Sequence, residues 1–417
     1  MLALALKSLR NRFATGALTA LTIALSVALV LGVQRIRSET RESFASTVSG
    51  TDLIVGARSS PVGLLLYAVF HLGDATNNVS WQTYTEVAAW PDVAWSVPIS
   101  LGDSHRGFRV MGTTGDFFAH YRYGARHALE FAAGKPFDDV YDAVLGAEVA
   151  RRLGYALGTE IVLTHGTGRI GFADHKDKPF RVVGILARTG TPVDATVAVS
   201  LAGIEAIHVD WQSGTRIPGA AVSAEQARHM DLTPKTITAF LLGLKSRIAT
   251  FGVQREIDDY EAEPLTAILP GVALQQLWEL VGVAESALLL ISVLVVLVGL
   301  AGMVTALLTT LAERRREMAI LRALGAHPRL VFGLLVLEAG LLTFAGEIAG
   351  LALMYAALAA ARGAVMDRFG LALALSPPSP LEAALLGAVL VAGVLAGAVP
   401  ALLAYRRALA DGLTLRV

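Results

Sequence analysis

The sequence predicts an α-helical membrane protein with four transmembrane helices and a large α/β domain inserted between the first and second of them. Three observations carry that prediction. Four runs of residues, starting near Phe13, Ala287, Leu330 and Leu381, are apolar enough and long enough to cross a hydrocarbon core of about 30 Å. The interval 38–280 contains no such run and reads instead as short strands and helices separated by turn residues. A cluster of arginines follows the second run at once and marks the cytoplasmic side of the membrane, because short arginine-rich loops resist translocation.

Taken in order, Lys7, Arg10 and Arg12 precede an uncharged run from Phe13 to Val33. The run is longer than the apolar core of a secretory signal, and Gln34-Arg-Ile-Arg37 offers no small-x-small cleavage site, so it is a retained first helix. Arg35, Arg37 and Arg41 balance the charges before it, and orientation has to come from the rest of the chain. Within 38–280, Thr51–Ala57 and Phe180–Leu186 have the β-branched content and bounding turns of strands. Tyr84–Trp90, Ala147–Leu153 and Ser223–Met230 read as short helices. Val62–Phe70 (VGLLLYAVF) is apolar on every side, which suits a buried segment, a membrane-touching segment or a lining for an apolar substrate formed by Val62, Leu64, Leu65, Leu66, Tyr67 and Phe70.

The second spanning helix is Ala287–Leu311, and Leu274–Glu285 can continue it outside the bilayer. Leu330–Ala361 is the third. Arg362–Pro380 reads as a loop ending in Pro377-Pro-Ser-Pro380, which blocks helix until Leu381–Leu403, the fourth. Tyr405, Arg406 and Arg407 anchor its inner end. Four spans place both termini in the cytoplasm and the large domain outside. The chain therefore divides into 1–37, an N-terminal cytosolic segment and first helix; 38–280, the outer α/β domain; and 281–417, the remaining three helices.

Composition limits the function classes. Hydrophobic residues make up 54% of the chain against 17% charged, with Lys+Arg and Asp+Glu equal at 35 each. That balance gives no general affinity for nucleic acid. The chain has no cysteine, which excludes disulfides, thiolate metal sites and cysteine nucleophiles.

The charged stretch between the second and third spans is the most informative. Glu313, Arg314, Arg315, Arg316 and Glu317 are followed by Met318, Ile320, Leu321 and Leu324, an apolar stripe at helical spacing opposite Glu317 and Arg322, before Gly325, Ala326 and Pro328 make a turn. This run, continued through Leu337-Glu338-Ala339, resembles the permease domain of the MacB, FtsX and LolC/LolE superfamily, the type VII ABC transporters. The ordered series Gly112–Phe118, Phe131–Phe137, Ala143–Gly146, Leu157–Leu163 and Phe180–Leu186 is similar to the MacB-like periplasmic core domain. The resemblance implies that 313–328 is a cytosolic coupling helix that docks on an ATP-binding subunit, and that the second helix forms a stalk to the outer domain.

Several motifs need weighing. Gly166-Thr-Gly-Arg-Ile-Gly171 matches GxGxxG, but polar loop residues follow it where a nucleotide site needs a helix, so a glycine-rich hairpin is the better reading. GxxxxGK[ST] does not occur, and no constellation reads as catalytic. ATP and Mg²⁺ belong to a separate subunit, and this chain is expected to carry no cofactor. That sets the likeness nearer FtsX and LolC/LolE than MacB, which has a fused nucleotide domain. Eight of the nine histidines lie in the outer domain. His165, His175 and His208, with Asp174, Asp194 and Asp210, are ligand types that zinc accepts, but their spacing is no recognisable metal motif and scattered surface histidines explain them as well. Glu338 and Glu347 lie inside the third span, where carboxylates face a bundle interior, a partner or water. Gly346 and Gly350 have GxxxG spacing and suit a dimer seam.

These readings lead to the permease subunit of an ATP-driven transporter in a bacterial inner membrane. The resemblance implies mechanotransmission that exports, extracts or hands over a substrate on the periplasmic side. The expected partners are a separate ATP-binding subunit, a second copy of the chain, membrane lipid, and a periplasmic adaptor, hydrolase or lipoprotein. Two alternatives stand beside it: an FtsX-like regulator of a cell-wall hydrolase that transports nothing, and a metal- or ligand-handling module linked to zinc.

Overall fold

A computed structural model describes residues 12–47, 49–166, 173–212, 215–216, 222–313, 327–369 and 375–410, with isolated positions (2, 5, 7 and 10) before them. The chain divides into two compact units, one comprising 1–39, 282–364 and 373–417 and the other 40–281 and 365–372.

The first unit is built from parts of four long helices, Phe13–Thr47, Pro270–Glu313, Pro328–Phe369 and Pro380–Ala410, each long and apolar enough to cross a membrane. Inside the apolar runs, hydroxyl side chains bond back to their own helix. Thr19 donates to the Thr15 carbonyl and Thr343 to the Ala339 carbonyl, both at 2.9 Å. Such bonds let a polar group sit in a run that has no water to satisfy it. Ser26 bonds both the Thr22 carbonyl and, across to the second helix, the Val295 carbonyl at 3.2 Å.

Helix boundaries depart from the sequence reading at three ends, one of them that of the fourth helix, which runs past Leu403 to Ala410. The first helix runs past Val33 to Thr47, since Gln34–Ser46 contains no glycine or proline to stop it. The third continues to Phe369, so residues 362–369 of the expected loop are helical; Arg362–Phe369 is rich in helix-compatible residues. Leu274–Glu285 does continue the second helix, which is unbroken from Pro270 to Glu313.

The second unit is a twelve-stranded mixed sheet with helices on both faces. Its main path runs Leu265–Ile268, Leu53–Ala57, Ala239–Leu244, Val93–His105, Phe108–Thr113, Thr196–Ser200, Asp142–Leu145, Phe180–Leu186, Phe131–Gly134. Neighbours are antiparallel except Thr196–Ser200 against Phe108–Thr113 and Phe180–Leu186 against Asp142–Leu145, which are parallel. Side chains alternate between two buried layers, as a doubly covered sheet requires. Ile54 and Leu241 pack into one core with Leu64, Leu65 and Phe117, whereas Leu53, Val55, Phe240 and Leu242 pack into another with Val87, Val253 and Ile257.

The apolar segment at 62–70 is explained here. Pro61–Ala68 is a helix capped by the Ser60 hydroxyl, and Leu64, Leu65, Tyr67 and Phe70 are buried in that first core. Burial therefore accounts for its composition.

Candidate functional site

Among the described residues, three places that gather polar groups in enclosed surroundings bear on function. The first lies among the long helices. Arg35 is 4% exposed, yet its Nε stands 3.0 Å from Glu382 and its Nη1 3.6 Å from Glu39. The same guanidinium donates to the Ser376 hydroxyl at 2.6 Å, the Ser376 carbonyl at 3.0 Å and the Tyr355 hydroxyl at 3.2 Å. Glu382 in turn accepts from the Ser379 amide at 2.7 Å, and Ser379 Oγ accepts from the Glu382 amide, a capping box that starts the fourth helix. The sequence reading missed this cluster, although Ser379-Pro-Leu-Glu382 has the spacing of such a box.

Of the intramembrane residues singled out earlier, Glu338 is buried beside a small recess lined by Arg12, Thr15, Thr19, Thr310 and Leu342. Glu347 is also buried, and its Oε1 has no hydrogen-bond partner. Gly346 and Gly350 correct the dimer-seam expectation. A Cβ at Gly346 would lie 2.7 Å from Ile23 Cβ, and one at Gly350 would lie 2.7 Å from the Ala24 carbonyl. Their small face is used inside the chain, where the third helix meets the first. The coupling residues Arg314, Arg315, Arg316, Glu317, Met318, Leu321, Arg322, Leu324, Gly325 and Ala326 lie outside the described residues; Glu313 ends the second helix. Residues 167–171 of the GxGxxG match also lie outside them.

The second place is a small recess of about 20 Å³ in the sheet domain, lined by residues that include Ile54, Ala68, Val69, His71, Met111 and Tyr121. None of Val62, Leu64, Leu65, Leu66, Tyr67 and Phe70 lines it. His71 donates or accepts at Thr196 Oγ1, 3.0 Å away, and burial together with the Arg109 charge lowers its pKa to about 4.

The third place brings together the three histidines that sequence spacing left scattered. His165 sits on the short strand Thr164–His165, which pairs with Val93–His105 so that His165 stands opposite Asp103. His208 ends the helix Leu201–His208, whose start is capped by Ser200. His175 follows the strand Ala173–Asp174, and its amide donates to the Leu163 carbonyl at 2.9 Å. One ligand-type atom from each of Asp103, His165, His175 and His208 falls within 4.8 Å of all the others. His165 Nδ1 is 3.2 Å from both Asp103 Oδ1 and His208 Nε2, and the latter two atoms are 3.6 Å apart.

The surroundings hold these groups in place. His208 Nδ1 lies 2.8 Å from the Ile204 carbonyl, which fixes the proton on Nδ1 and turns the Nε2 lone pair toward the cluster. Lys178 and Asp210, both fully buried, pair at 2.5 Å and tie the segment after His175 to the residues after His208. The Trp211 ring covers His175 at 4.6 Å between centroids. The Asp103 hydrogen bond raises the His165 pKa, whereas burial and the facing His208 lower that of His175 to about 4.

Sequence reasoning named the histidines but not Asp103, which reads in the sequence as one more polar residue beside Ser104 and His105. Two of the other nominated carboxylates, Asp194 and Asp210, are engaged elsewhere. Asp194 accepts from the Thr189 and Gly190 amides in a turn, and Asp210 pairs with Lys178.

Comparison with known proteins places these features. Residues 17–240 match the family model described as MacB-like periplasmic core domain, more than half of the chain, and residues 289–409 match that described as FtsX-like permease C-terminal. Among solved structures, the chain is similar to the periplasmic region of MacB from Actinobacillus actinomycetemcomitans, at 10% identity and a TM-score of 0.34, over 55% of this chain and 94% of that one. It is also similar to the extracellular domain of the ABC-type transporter YknZ from Gram-positive bacteria, at 11% identity and a TM-score of 0.31, over 52% and 99%. No curated protein matches.

Proposed function

Because the chain belongs to the MacB/FtsX/LolC superfamily of ABC-transporter-type permeases, with spanning helices and an extracytoplasmic domain, we propose that it is the membrane subunit of an ATP-driven mechanotransmission machine. In this reading it lies in a bacterial inner membrane with both termini in the cytoplasm. Two copies pair with two separate ATP-binding subunits, which supply the nucleotide and Mg²⁺ chemistry.

The observation that carries the proposal is the succession, in one chain, of a MacB-like periplasmic core and an FtsX-like C-terminal permease region. The unbroken helix Pro270–Glu313 supports it. At about 1.5 Å per residue its 44 residues form a stiff rod some 65 Å long, and nothing after Pro270 interrupts its hydrogen bonds with a proline. Nucleotide-driven closure pushes on the arginine-rich segment after Glu313, and the rod carries the displacement to the outer domain. This requires a lever and two stable arrangements rather than a polar pore.

The absence of cysteine makes the test direct. With Arg315→Cys and Glu225→Cys introduced separately, an impermeant thiol reagent added to intact cells is expected to label Glu225→Cys alone. Charge reversal of Arg314, Arg315 and Arg316 to Glu is expected to abolish co-purification of the ATP-binding subunit while the full chain still folds. Labelling of both cysteines from one side, or an unchanged complex, would sink the reading. Capture of a hydrolase with no movement of substrate would place the protein with the regulators.

A further inference from the structure

We propose that Asp103, His165, His175 and His208 form a binding site for a zinc-class divalent cation in the extracytoplasmic domain. Four ligands at about 2.0–2.1 Å from a tetrahedral ion stand about 3.3–3.4 Å from one another. Three of the separations here, 3.2, 3.2 and 3.6 Å, are already close to that edge length. The fourth ligand atom, on His175, lies within 4.8 Å of each of the other three.

The second observation is independent of these distances. His175 is 1% exposed, and neither of its ring nitrogens has a hydrogen-bond partner. A neutral imidazole has one donor and one acceptor, and leaving them unpaired away from water costs about 1–3 kcal/mol each. A histidine kept only for packing is satisfied differently, and His105 is one. His105, 4% exposed, places Nδ1 2.7 Å from the Val162 carbonyl and Nε2 3.0 Å from the Tyr155 hydroxyl. His105 is complete without a ligand and His175 is not.

Ligand chemistry selects the metal class. Three imidazoles and one carboxylate suit Zn²⁺ and its neighbours Co²⁺, Ni²⁺ and Cu²⁺, whereas Ca²⁺ and Mg²⁺ ask for six or more oxygens. The chain has no thiolate to compete for the ion or to favour Cu⁺. Four protein ligands fill a tetrahedron and leave no position for a reactive water, so the site holds a cation rather than hydrolysing a substrate. Asp103 and His175 are buried while His165 and His208 are partly exposed, so an ion enters past those two rings. The Ile204 carbonyl on His208, the Lys178–Asp210 pair and the Trp211 ring supply the outer support that orients metal ligands.

The test uses the full chain in detergent, stripped with chelator and dialysed against ZnCl₂ in the presence of a chromophoric competitor. One Zn²⁺ per chain is expected, with affinity lowered by more than about 100-fold in His175→Ala and in His208→Ala, beyond what loss of an outer-shell partner costs. His105→Gln is expected to bind as the natural chain does. Co²⁺ supplies a readout needing no variant, since four-coordinate Co²⁺ absorbs strongly in the visible and six-coordinate Co²⁺ weakly. No retained Zn²⁺, equal affinity in His175→Ala and the natural chain, or a six-coordinate Co²⁺ spectrum would each overturn the proposal. These measurements need no ATP-binding subunit, so their failure leaves the permease reading standing.

Discussion

Among the described residues, each unit holds a buried polar cluster, one around Arg35 and one around His175, and the two differ in how their groups are paired. Around Arg35, carboxylates, a hydroxyl pair and backbone carbonyls converge on one guanidinium, whose Nε is paired by charge with Glu382 at 3.0 Å although it makes no aligned hydrogen bond. Around His175, ring nitrogens and a carboxylate converge on one another, and the most deeply buried ring has no hydrogen bond. A buried cluster that satisfies its own charges tends to hold a fold together. One that leaves donors and acceptors unpaired needs something further, because the desolvation cost has not been recovered.

The strongest way to break that comparison is to remove the centre of the satisfied cluster. Arg35→Leu strands Glu382 and its neighbour Glu39 and is expected to destabilise the full chain by about 3–5 kcal/mol, read as a lower melting temperature in detergent. Glu382→Leu alone is expected to behave similarly. The pair Arg35→Leu/Glu382→Leu should cost clearly less than the two singles added together, because neither charge is then left buried alone. Strict additivity would show that the cluster is not a unit.

His71 stands between the two cases, with one nitrogen at Thr196 and the Arg109 charge, itself paired to Asp74 at 2.9 Å, beside it. Its pKa of about 4 lies below the ordinary 6.5, so the unfolded chain takes up this proton before the folded one does. Stability is therefore greatest above pH 6.5 and falls as pH drops toward 4, by at most about 3 kcal/mol from this group. His71→Asn, chosen because the backbone there has φ of 54° and asparagine tolerates that region, should flatten the profile between those limits in acid melts. An unchanged slope would remove His71 from the account.

How far the sequence disclosed all this follows from range. Spanning helices declare themselves through local composition, so all four were readable; their far ends were not, because charged segments such as Arg35–Ser46 are as compatible with helix as with loop. Ala147–Leu153 and Phe180–Leu186 were likewise legible from local letters. The histidine cluster was only half visible. Its ligands come from four segments spread over about a hundred residues, and Asp103 joins them through strand pairing with His165, a relation that no spacing rule encodes. The Arg35 cluster was hidden for the same reason, since Arg35 and Glu382 stand at opposite ends of the chain.

A direct contrast between two histidines sharpens the comparison at smaller cost. His105→Leu leaves the Val162 carbonyl and Tyr155 hydroxyl without their partner and is expected to destabilise the metal-free chain by about 1–3 kcal/mol. His175→Leu removes two unpaired nitrogens and breaks no hydrogen bond, so the metal-free chain should be unchanged or more stable. Added Zn²⁺ should then raise the melting temperature of the natural chain and of His105→Leu, but not of His175→Leu. Equal losses in the two metal-free variants would mean that His175 is a packing residue.

The smallest expected effect concerns packing inside the helical unit. Gly346→Ala places a Cβ against Ile23 Cβ at 2.7 Å and the Ala20 carbonyl at 3.0 Å, so the first and third helices must part, at about 1–2 kcal/mol. Gly302→Ala and Gly387→Ala are the controls, since a Cβ at either meets nothing within 4 Å and should be neutral or favourable. A seam inside the chain makes the Gly346→Ala loss independent of protein concentration, whereas a seam between copies makes it fall as concentration rises. With Gly346 and Gly350 used internally, a pairing of two copies has to draw on apolar surface that the chain leaves exposed. The second helix offers such surface at Leu290, Leu294, Leu297 and Val298.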